Sequence, residues 1–141
     1  MCFYDDLAFG QKWEKEALKL LNYDTYTQPS GCFKPYDIEL ITKGKKTFIE
    51  VKSDRLASKT NNIAIGFCCS GKPSGISTTK ADYWVYFIVD SDGHIAYKLP
   101  VRAIKKFLRD ATDYKIIKGG DGKRSQMAII NRSQFAKYRV I

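Results

Sequence analysis

The seven residues from Tyr83 to Val89, YWVYFIV, constrain the fold more than any other part of the chain. A strand with one face in solvent alternates apolar and polar side chains, whereas a continuously apolar run is typical of a central strand covered on both faces. Helix-like and strand-like segments lie on both sides of this run, without a repeat or a linker. We therefore predict one α/β domain, residues 1–141, in which helices flank a mixed central β-sheet.

The other elements follow from hydrophobic periodicity and from turn residues. A first helix begins at Asp5 or Asp6 and runs to about Asn22, and a later helix begins at Pro100, because proline suits the first helical position. A short helical turn is expected where Ser77 can act as a cap. The predicted strands are residues 37–41, 46–52, 63–68, 94–99 and 126–131, with a turn at 42–45 and a polar loop from 53 to 62.

Charge is the most informative part of the composition. Lysine and arginine number 24 against 15 acidic residues, a formal net charge of +9, which suggests a polyanionic partner such as nucleic acid or, alternatively, a basic surface that serves solubility. No apolar run approaches the roughly 20 residues that a membrane-spanning helix needs, and the acidic N-terminus has no signal-peptide core. We expect a cytoplasmic protein, inside the host cell if viral, with no membrane partner.

The cysteines and the histidine are not spaced as a zinc site requires. Cys2, Cys32, Cys68 and Cys69 form no C-x-x-C pair, and His94 is far from them in sequence. We predict reduced structural thiols. Because Cys68 and Cys69 point to opposite faces of an extended chain, at most one of them is expected in the core.

The hairpin made by residues 37–41 and 46–52 is predicted to carry two opposed carboxylates. A two-residue and a four-residue turn give the same register, in which Asp37 lies directly opposite Glu50. Like charges in such a pair are destabilising unless a cation compensates them. Lys52 shares the strand face of Glu50, and Mg²⁺ binds one or two carboxylates together with water and phosphate oxygens. The pattern indicates metal-dependent phosphoryl transfer, with a surface ion cluster as the alternative.

The first helix offers a third acid. At about 100° per residue, one face of this helix is apolar. Glu14 falls inside this apolar arc, and a carboxylate there is costly unless a partner compensates it. We expect Glu14 to face the sheet that carries Asp37 and Glu50, with a boundary residue that reaches solvent as the alternative. The apolar face consists of Phe9, Gly10, Trp13, Ala17, Leu20 and Leu21.

These residues resemble a known nuclease motif. Asp37, twelve intervening residues and then Glu50-Val51-Lys52 resemble the PD-(D/E)xK nuclease superfamily, although KPYD (34–37) has one residue inserted between the proline and the aspartate. GQKWEKEALKLL (10–21), with Glu14 four residues after Gly10, is similar to the first-helix motif of archaeal-type Holliday junction resolvases. The resemblance covers residues 10–52.

The resemblance implies a restriction-endonuclease-like fold and a Mg²⁺-dependent DNA endonuclease, with Mn²⁺ as a substitute. It implies that Asp37, Glu50, the main-chain carbonyl of Val51 and Glu14 bind one or two metal ions. Lys52 would orient or deprotonate the attacking water, or stabilise the transition state. It also implies a DNA partner. Because the small chain leaves little room for a separate recognition domain, we expect a homodimer with two active sites that recognises DNA shape or a short site, with a DNA junction as the first choice of substrate.

Two further functions stay open. One is a restriction, repair or phage-type nuclease that acts on duplex or single-stranded DNA; the other is a non-catalytic nucleic-acid-binding module whose acidic cluster is structural. Thr79 and Lys80 could contact the DNA backbone, and a capped turn is an equally good interpretation. Residues 118–124 could wrap a phosphate backbone, and a mobile solvated loop is at least as good an interpretation. The candidate DNA contacts are Arg55, Lys72, Thr79, Lys80, Lys123 and Arg124.

Overall fold

The structure, a computed structural model, describes residues 3–29, 36–111, 113–119 and 124–141. The helices are α1 (Phe3–Leu20), α2 (Ala57–Thr60) and α3 (Val101–Asp110), with 3₁₀ segments at Gly75–Ser77 and Arg132–Tyr138. The strands are β1 (Thr25–Thr27), β2 (Ile38–Thr42), β3 (Lys45–Asp54), β4 (Asn62–Cys69), β5 (Lys72–Pro73), β6 (Tyr83–Val89), β7 (His94–Pro100), β8 (Lys115–Gly119) and β9 (Ser125–Asn131).

The strands form two β-sheets. The larger sheet has the order β1-β2-β3-β6-β7, in which β6 runs parallel to β3 and the other neighbours are antiparallel. The smaller sheet has the order β5-β4-β9-β8 and is antiparallel. The apolar run YWVYFIV is β6, whose five inner residues are buried between β3 and β7. The predicted α/β domain with a mixed sheet is therefore confirmed.

The two faces of the larger sheet are covered differently. On one face α1 packs its buried residues Trp13 and Ala17, together with Leu21 directly after the helix, against a core that includes Ile49 and Phe87. The other face, with Trp84 and Tyr86 of β6, packs against the smaller sheet and α3. The prediction that helices flank the sheet is thus incomplete. The strands β4 and β9 pair with each other in a second sheet, which forms a separate layer and contributes the buried side chains of Ile63, Ile65 and Ile130.

The β2–β3 hairpin has the predicted register. Thr42 pairs with Lys45 and Ile38 with Ile49. The two turn residues, Lys43 and Gly44, have φ values of 51° and 78°, as a two-residue turn of type I′ requires. Asp24 Oδ2 accepts a hydrogen bond from the Lys43 N–H at 2.7 Å, which stabilises the left-handed backbone of this lysine.

Other boundaries differ from the sequence-based expectations. The helix α1 begins at Phe3 and ends at Leu20, and the segment predicted as a loop contains α2 and the end of β3. Ser77 ends its 3₁₀ segment, and its hydroxyl donates to the carbonyl of Phe67 at 2.8 Å, so its predicted role as an N-terminal cap is wrong. The strands β1, β5 and β8 were not predicted, since all are short and largely exposed.

Two smaller findings concern the cysteines and the membrane. Cys68 is half-buried and Cys69 is exposed, and both are free thiols. Cys2 and Cys32 lie outside the described residues. Within the described ranges, no helix combines the length and the apolar character needed to cross a membrane.

Candidate active site

One face of β3 carries three charged side chains in line, those of Glu50, Lys52 and Asp54. Side chains alternate along a strand, so Ile49 and Val51 point to the opposite face, where they pack in the core beneath α1. Because β3 and β6 pair in parallel register, with Glu50 beside Trp84 and Lys52 beside Tyr86, the charged residues share their face with these two aromatic residues of β6.

Glu50 is a half-buried acid with one carboxylate oxygen that is not hydrogen-bonded. Its side chain is 18% exposed, and its Oε2 atom is buried and accepts no hydrogen bond. The Lys52 Nζ atom lies 3.4 Å from this oxygen, an ion-pair contact longer than a favourable hydrogen bond. Burial raises the pKa of the Glu50 carboxyl, the charge of Lys52 opposes that rise, and the nearby Asp37 charge adds to it.

Asp37 reaches the same place from the end of the hairpin ladder. Its backbone N–H donates to the Ile49 carbonyl at 2.9 Å, and its Oδ2 atom accepts the Val51 N–H at 2.7 Å. The ladder with β3 ends at the Ile38–Ile49 pair, one residue before the predicted position of Asp37 opposite Glu50, and Asp37 is held to β3 by both its backbone N–H and its side chain. The two carboxylates are nevertheless neighbours, because Val51 directly follows Glu50.

Lys52 is held above an aromatic ring. Its Nζ atom lies 5.0 Å from the centroid of Trp84, in the geometry of a cation–π contact. The Trp84 indole N–H donates to Thr79 Oγ1 at 3.3 Å, and the Ala81 N–H donates to the same oxygen at 3.2 Å. Thr79, a predicted DNA contact, therefore helps to fix the ring beneath the lysine.

The Asp54–Tyr86 pair was not predicted from the sequence. The Tyr86 hydroxyl donates to Asp54 Oδ2 at 2.5 Å and accepts the Ala64 N–H at 3.2 Å. Burial, with the Asp54 carboxylate as a second cause, raises the pKa of Tyr86 well above its usual range. The signals were available: Asp54 continues the two-residue spacing of Glu50 and Lys52, and Tyr86 places a hydroxyl inside an apolar run.

Glu14 was expected as a third acid beside Asp37 and Glu50, and it is instead hydrogen-bonded to Gln28. Its Oε2 atom accepts a hydrogen bond from Gln28 Nε2 at 3.1 Å. The buried face of α1 packs on the side of the sheet opposite to Glu50 and Lys52. Among the described residues, no three histidine, cysteine, aspartate or glutamate side chains are grouped as a metal site. The structure thus brings Asp37, Glu50 and Lys52 together, and the role of Glu14 stays a prediction.

The candidate DNA contacts are spread over several segments. Arg55 directly follows β3, Lys72 lies in β5, and both are exposed, as are Lys80 and Arg124. Lys123 lies outside the described residues, and so do Lys34 and Pro35 of the KPYD segment.

Comparisons with known proteins add no relative to this picture. The chain matches no protein-family model, no curated protein and no solved structure.

Proposed function

We propose that this chain is a metal-dependent DNA endonuclease that hydrolyses phosphodiester bonds with a PD-(D/E)xK-type site on a restriction-endonuclease-like fold. The observation that carries the proposal is the Glu50 carboxylate, whose buried Oε2 atom accepts no hydrogen bond beside Asp37 and Lys52. A buried acceptor without a hydrogen bond is rare and calls for an unobserved water, an ion or a catalytic role.

The donor atoms fit a hard divalent cation such as Mg²⁺ or Mn²⁺. Such ions bind carboxylate oxygens and keep several waters, so two neighbouring acids suffice when substrate oxygens complete the shell. Asp37 and Glu50 would be the main ligands, with the Val51 carbonyl as an additional ligand that the resemblance implies. The resemblance also implies Glu14, which would have to reach this site from α1 on the other face of the sheet. A bound Mg²⁺ would supply charge neutralisation at the phosphate and a lower pKa for a water molecule.

Lys52 would act on the substrate itself. Its ammonium group, positioned by Glu50 on one side and the Trp84 ring on the other, can donate to a phosphate oxygen on which charge develops. The same group can orient the attacking water. Asp37, anchored to the Val51 N–H, keeps its carboxylate beside Glu50.

The preferred substrate is a DNA junction, and a homodimer would present two active sites to it. This part of the proposal rests on the first-helix motif, residues 10–21. A restriction, repair or phage-type nuclease would use the same site on other DNA forms.

A second candidate function is a nucleic-acid-binding module without catalysis. It is favoured by the net charge of +9 together with the finding that the described residues contain no group of three metal-ligating side chains. In that case the Glu50–Lys52 pair is a structural ion pair.

Cleavage of a DNA panel in Mg²⁺ or Mn²⁺ tests the proposal. The panel holds a four-way junction, a fork, plain duplex and single strand, and Lys52→Ala is compared with Lys137→Ala, which removes an exposed lysine of the C-terminal 3₁₀ segment. We expect Lys52→Ala to reduce cleavage by about 10²–10³-fold, as for loss of one transition-state donor, and Lys137→Ala to leave it unchanged. Equal cutting of every form would remove junction selectivity, and no metal-dependent cutting would favour the binding module.

A further inference from the structure

A basic groove lies at the start of β3, where Lys80, one of the predicted DNA contacts, directly precedes the lining residue Ala81. Its volume is about 460 Å³, and it is bounded by the first residues of β3, by residues 81–83 and by the first turns of α3. Four cations from two separate elements line it: Lys45 and Lys46 from β3, and Arg102 and Lys105 from α3.

Three of these four cations are in no ion pair with a described residue. Lys46 Nζ is paired with Glu39 Oε1 at 3.4 Å, whereas Lys45, Arg102 and Lys105 are exposed and form no ion pair within the part of the chain that the structure describes. Arg102 and Lys105 are three residues apart on α3, so they lie on one side of the helix. The groove therefore concentrates positive charge in a concave surface, where its field is focused.

The acid in the groove is already engaged. Among the described lining residues only Asp82 is acidic, and its Oδ2 atom accepts the Phe48 N–H at 2.8 Å. The Asp82 carbonyl accepts the Val101 N–H at 2.9 Å, and the Asp82 N–H donates to the Phe48 carbonyl at 2.7 Å. These hydrogen bonds tie β3, the segment before β6 and the beginning of α3 together, so the cations project from a rigid frame.

The start of α3 adds to the positive potential. The helix has no side-chain cap at its N-terminus and no acidic residue in its first turn, so the partial positive charge of its N-terminus is not neutralised locally. Pro100, Val101 and Arg102 all line the groove at this end of the helix.

We propose that this groove binds the phosphodiester backbone of DNA through Lys45, Arg102 and Lys105, and that it guides the bound strand along β3 toward Glu50 and Lys52. Lys46, which lines the same groove, precedes Glu50 by four residues on the same face of β3, about 13 Å at about 3.3 Å per residue, which about four nucleotides of one DNA strand cover. The inference rests on the proposed function for the identity of the polyanion.

The test is the salt dependence of DNA binding without metal, so that binding is separated from cleavage. The full chain carrying Lys52→Ala binds a fluorescent four-way junction or duplex over a series of salt concentrations in chelator. The groove triple variant combines Lys45→Ala, Arg102→Ala and Lys105→Ala on this Lys52→Ala background. A matched control triple is Lys15→Ala, Lys115→Ala and Lys137→Ala, and a charge-conserving triple is Lys45→Arg, Arg102→Lys and Lys105→Arg.

We expect the groove triple to lower the slope of log affinity against log salt by about three, since each lost phosphate contact removes about one. The control triple should change it by less than one, and the charge-conserving triple should keep it. An equal effect of both alanine triples, or no DNA binding by the parent protein, would overturn the inference. Melting curves check that each variant is folded.

This outcome is independent of catalysis. If the wild-type chain cuts no DNA while the groove triple alone loses the salt slope, the groove inference holds and the nuclease proposal fails. If Lys52-dependent cleavage occurs while the groove triple binds like its control, the nuclease proposal holds and the groove inference fails.

Discussion

Glu50 and Asp54 are carboxylates four residues apart on the same face of β3, yet their surroundings are opposite. Asp54 Oδ1 accepts the N–H groups of Leu56 at 2.7 Å and Ala57 at 3.0 Å, and its Oδ2 accepts the Tyr86 hydroxyl. Glu50 has an oxygen that is buried without a hydrogen bond and a raised pKa. The fold supplies the first carboxylate with hydrogen-bond donors, whereas burial of the second disfavours its ionised form, so the two make opposite predictions for stability.

The difference has a local cause. Asp54 ends β3, where the chain turns into α2 and its first N–H groups are free to be capped. Glu50 lies in the middle of the strand, where backbone groups belong to the sheet ladders, and the nearby Val51 N–H is taken by Asp37. A carboxylate in the middle of a paired strand must therefore find a cation, and Lys52 is the one that lies beside it.

Removal of the satisfied carboxylate should have the largest effect on stability. Asp54→Ala leaves the buried Tyr86 hydroxyl and the N–H groups at the start of α2 without their acceptor. Lost hydrogen bonds to a charged group and an unsatisfied buried donor each cost about 1–3 kcal/mol, so we expect a loss of about 3 kcal/mol in the free energy of unfolding. Urea unfolding monitored by tryptophan fluorescence measures it.

A double-mutant cycle with Tyr86→Phe sharpens this result. Because the two side chains share a hydrogen bond, the effects of Asp54→Ala and Tyr86→Phe should be non-additive by about 1 kcal/mol or more. Strictly additive effects would mean that the pair is not coupled and would break the contrast with Glu50.

Divalent metal should distinguish the two carboxylates next. At a Mg²⁺ or Mn²⁺ concentration ten times its dissociation constant, a site formed by Asp37 and Glu50 stabilises the folded chain by about 1.4 kcal/mol. We expect this stabilisation in thermal melts of the wild type and of Asp54→Asn. The Asp54 oxygens already accept hydrogen bonds within the fold and are therefore not expected to bind the ion. Asp37→Asn should abolish the stabilisation, although asparagine can still accept the Val51 N–H.

The opposite outcome is equally informative. If Asp54→Asn loses the metal response and Asp37→Asn keeps it, the ion binds elsewhere on β3 and the assignment of ligands is wrong. If none of the proteins responds, the ion-pair interpretation of Glu50 and Lys52 gains support.

The parts of the fold that depend on local pattern were predictable. YWVYFIV identified β6 because a strand buried on both faces must be apolar throughout. The β2–β3 register followed from the turn, since the loop fixes which residues face each other. Long-range pairing was not predictable, because nothing in the local pattern of β4 and β9 says that they pair with each other and cover the Trp84 face.

The same limit applies to the site. Spacing alone placed Glu50 and Lys52 on one face of β3 and brought Asp37 to the end of the hairpin. The bend that removes Asp37 from the ladder, and the capping role of Asp54, depend on backbone N–H groups whose positions only the folded chain defines. For Glu14, helical periodicity gave the buried arc but not the face of the sheet against which α1 packs.

The smallest predicted effect, on the pH dependence of stability, tests the charge of Glu50. Its pKa is raised in the folded state, so the unfolded chain ionises first as the pH rises from acid. The ionised Glu50 therefore lowers the free energy of unfolding. This loss is absent below the pKa of the unfolded chain, grows between that pKa and the pKa of the folded chain, and is complete above the latter. Glu50→Gln removes this loss, and we expect it to stabilise the chain at neutral pH without metal by about 0.5–1 kcal/mol.

The comparison with acid pH makes this prediction specific. The advantage of Glu50→Gln in the free energy of unfolding should shrink as the pH falls, because a protonated Glu50 carries no charge. At acid pH only a constant, pH-independent difference from the wild type should remain. Asp54→Asn is the matched control and should be less stable than wild type at neutral pH. Added Mg²⁺ should reduce the advantage of Glu50→Gln, because only the wild type retains the full pair of ligands. A Glu50→Gln protein that is less stable than wild type at neutral pH would show that the Lys52 ion pair outweighs burial, which would make Glu50 a structural residue like Asp54.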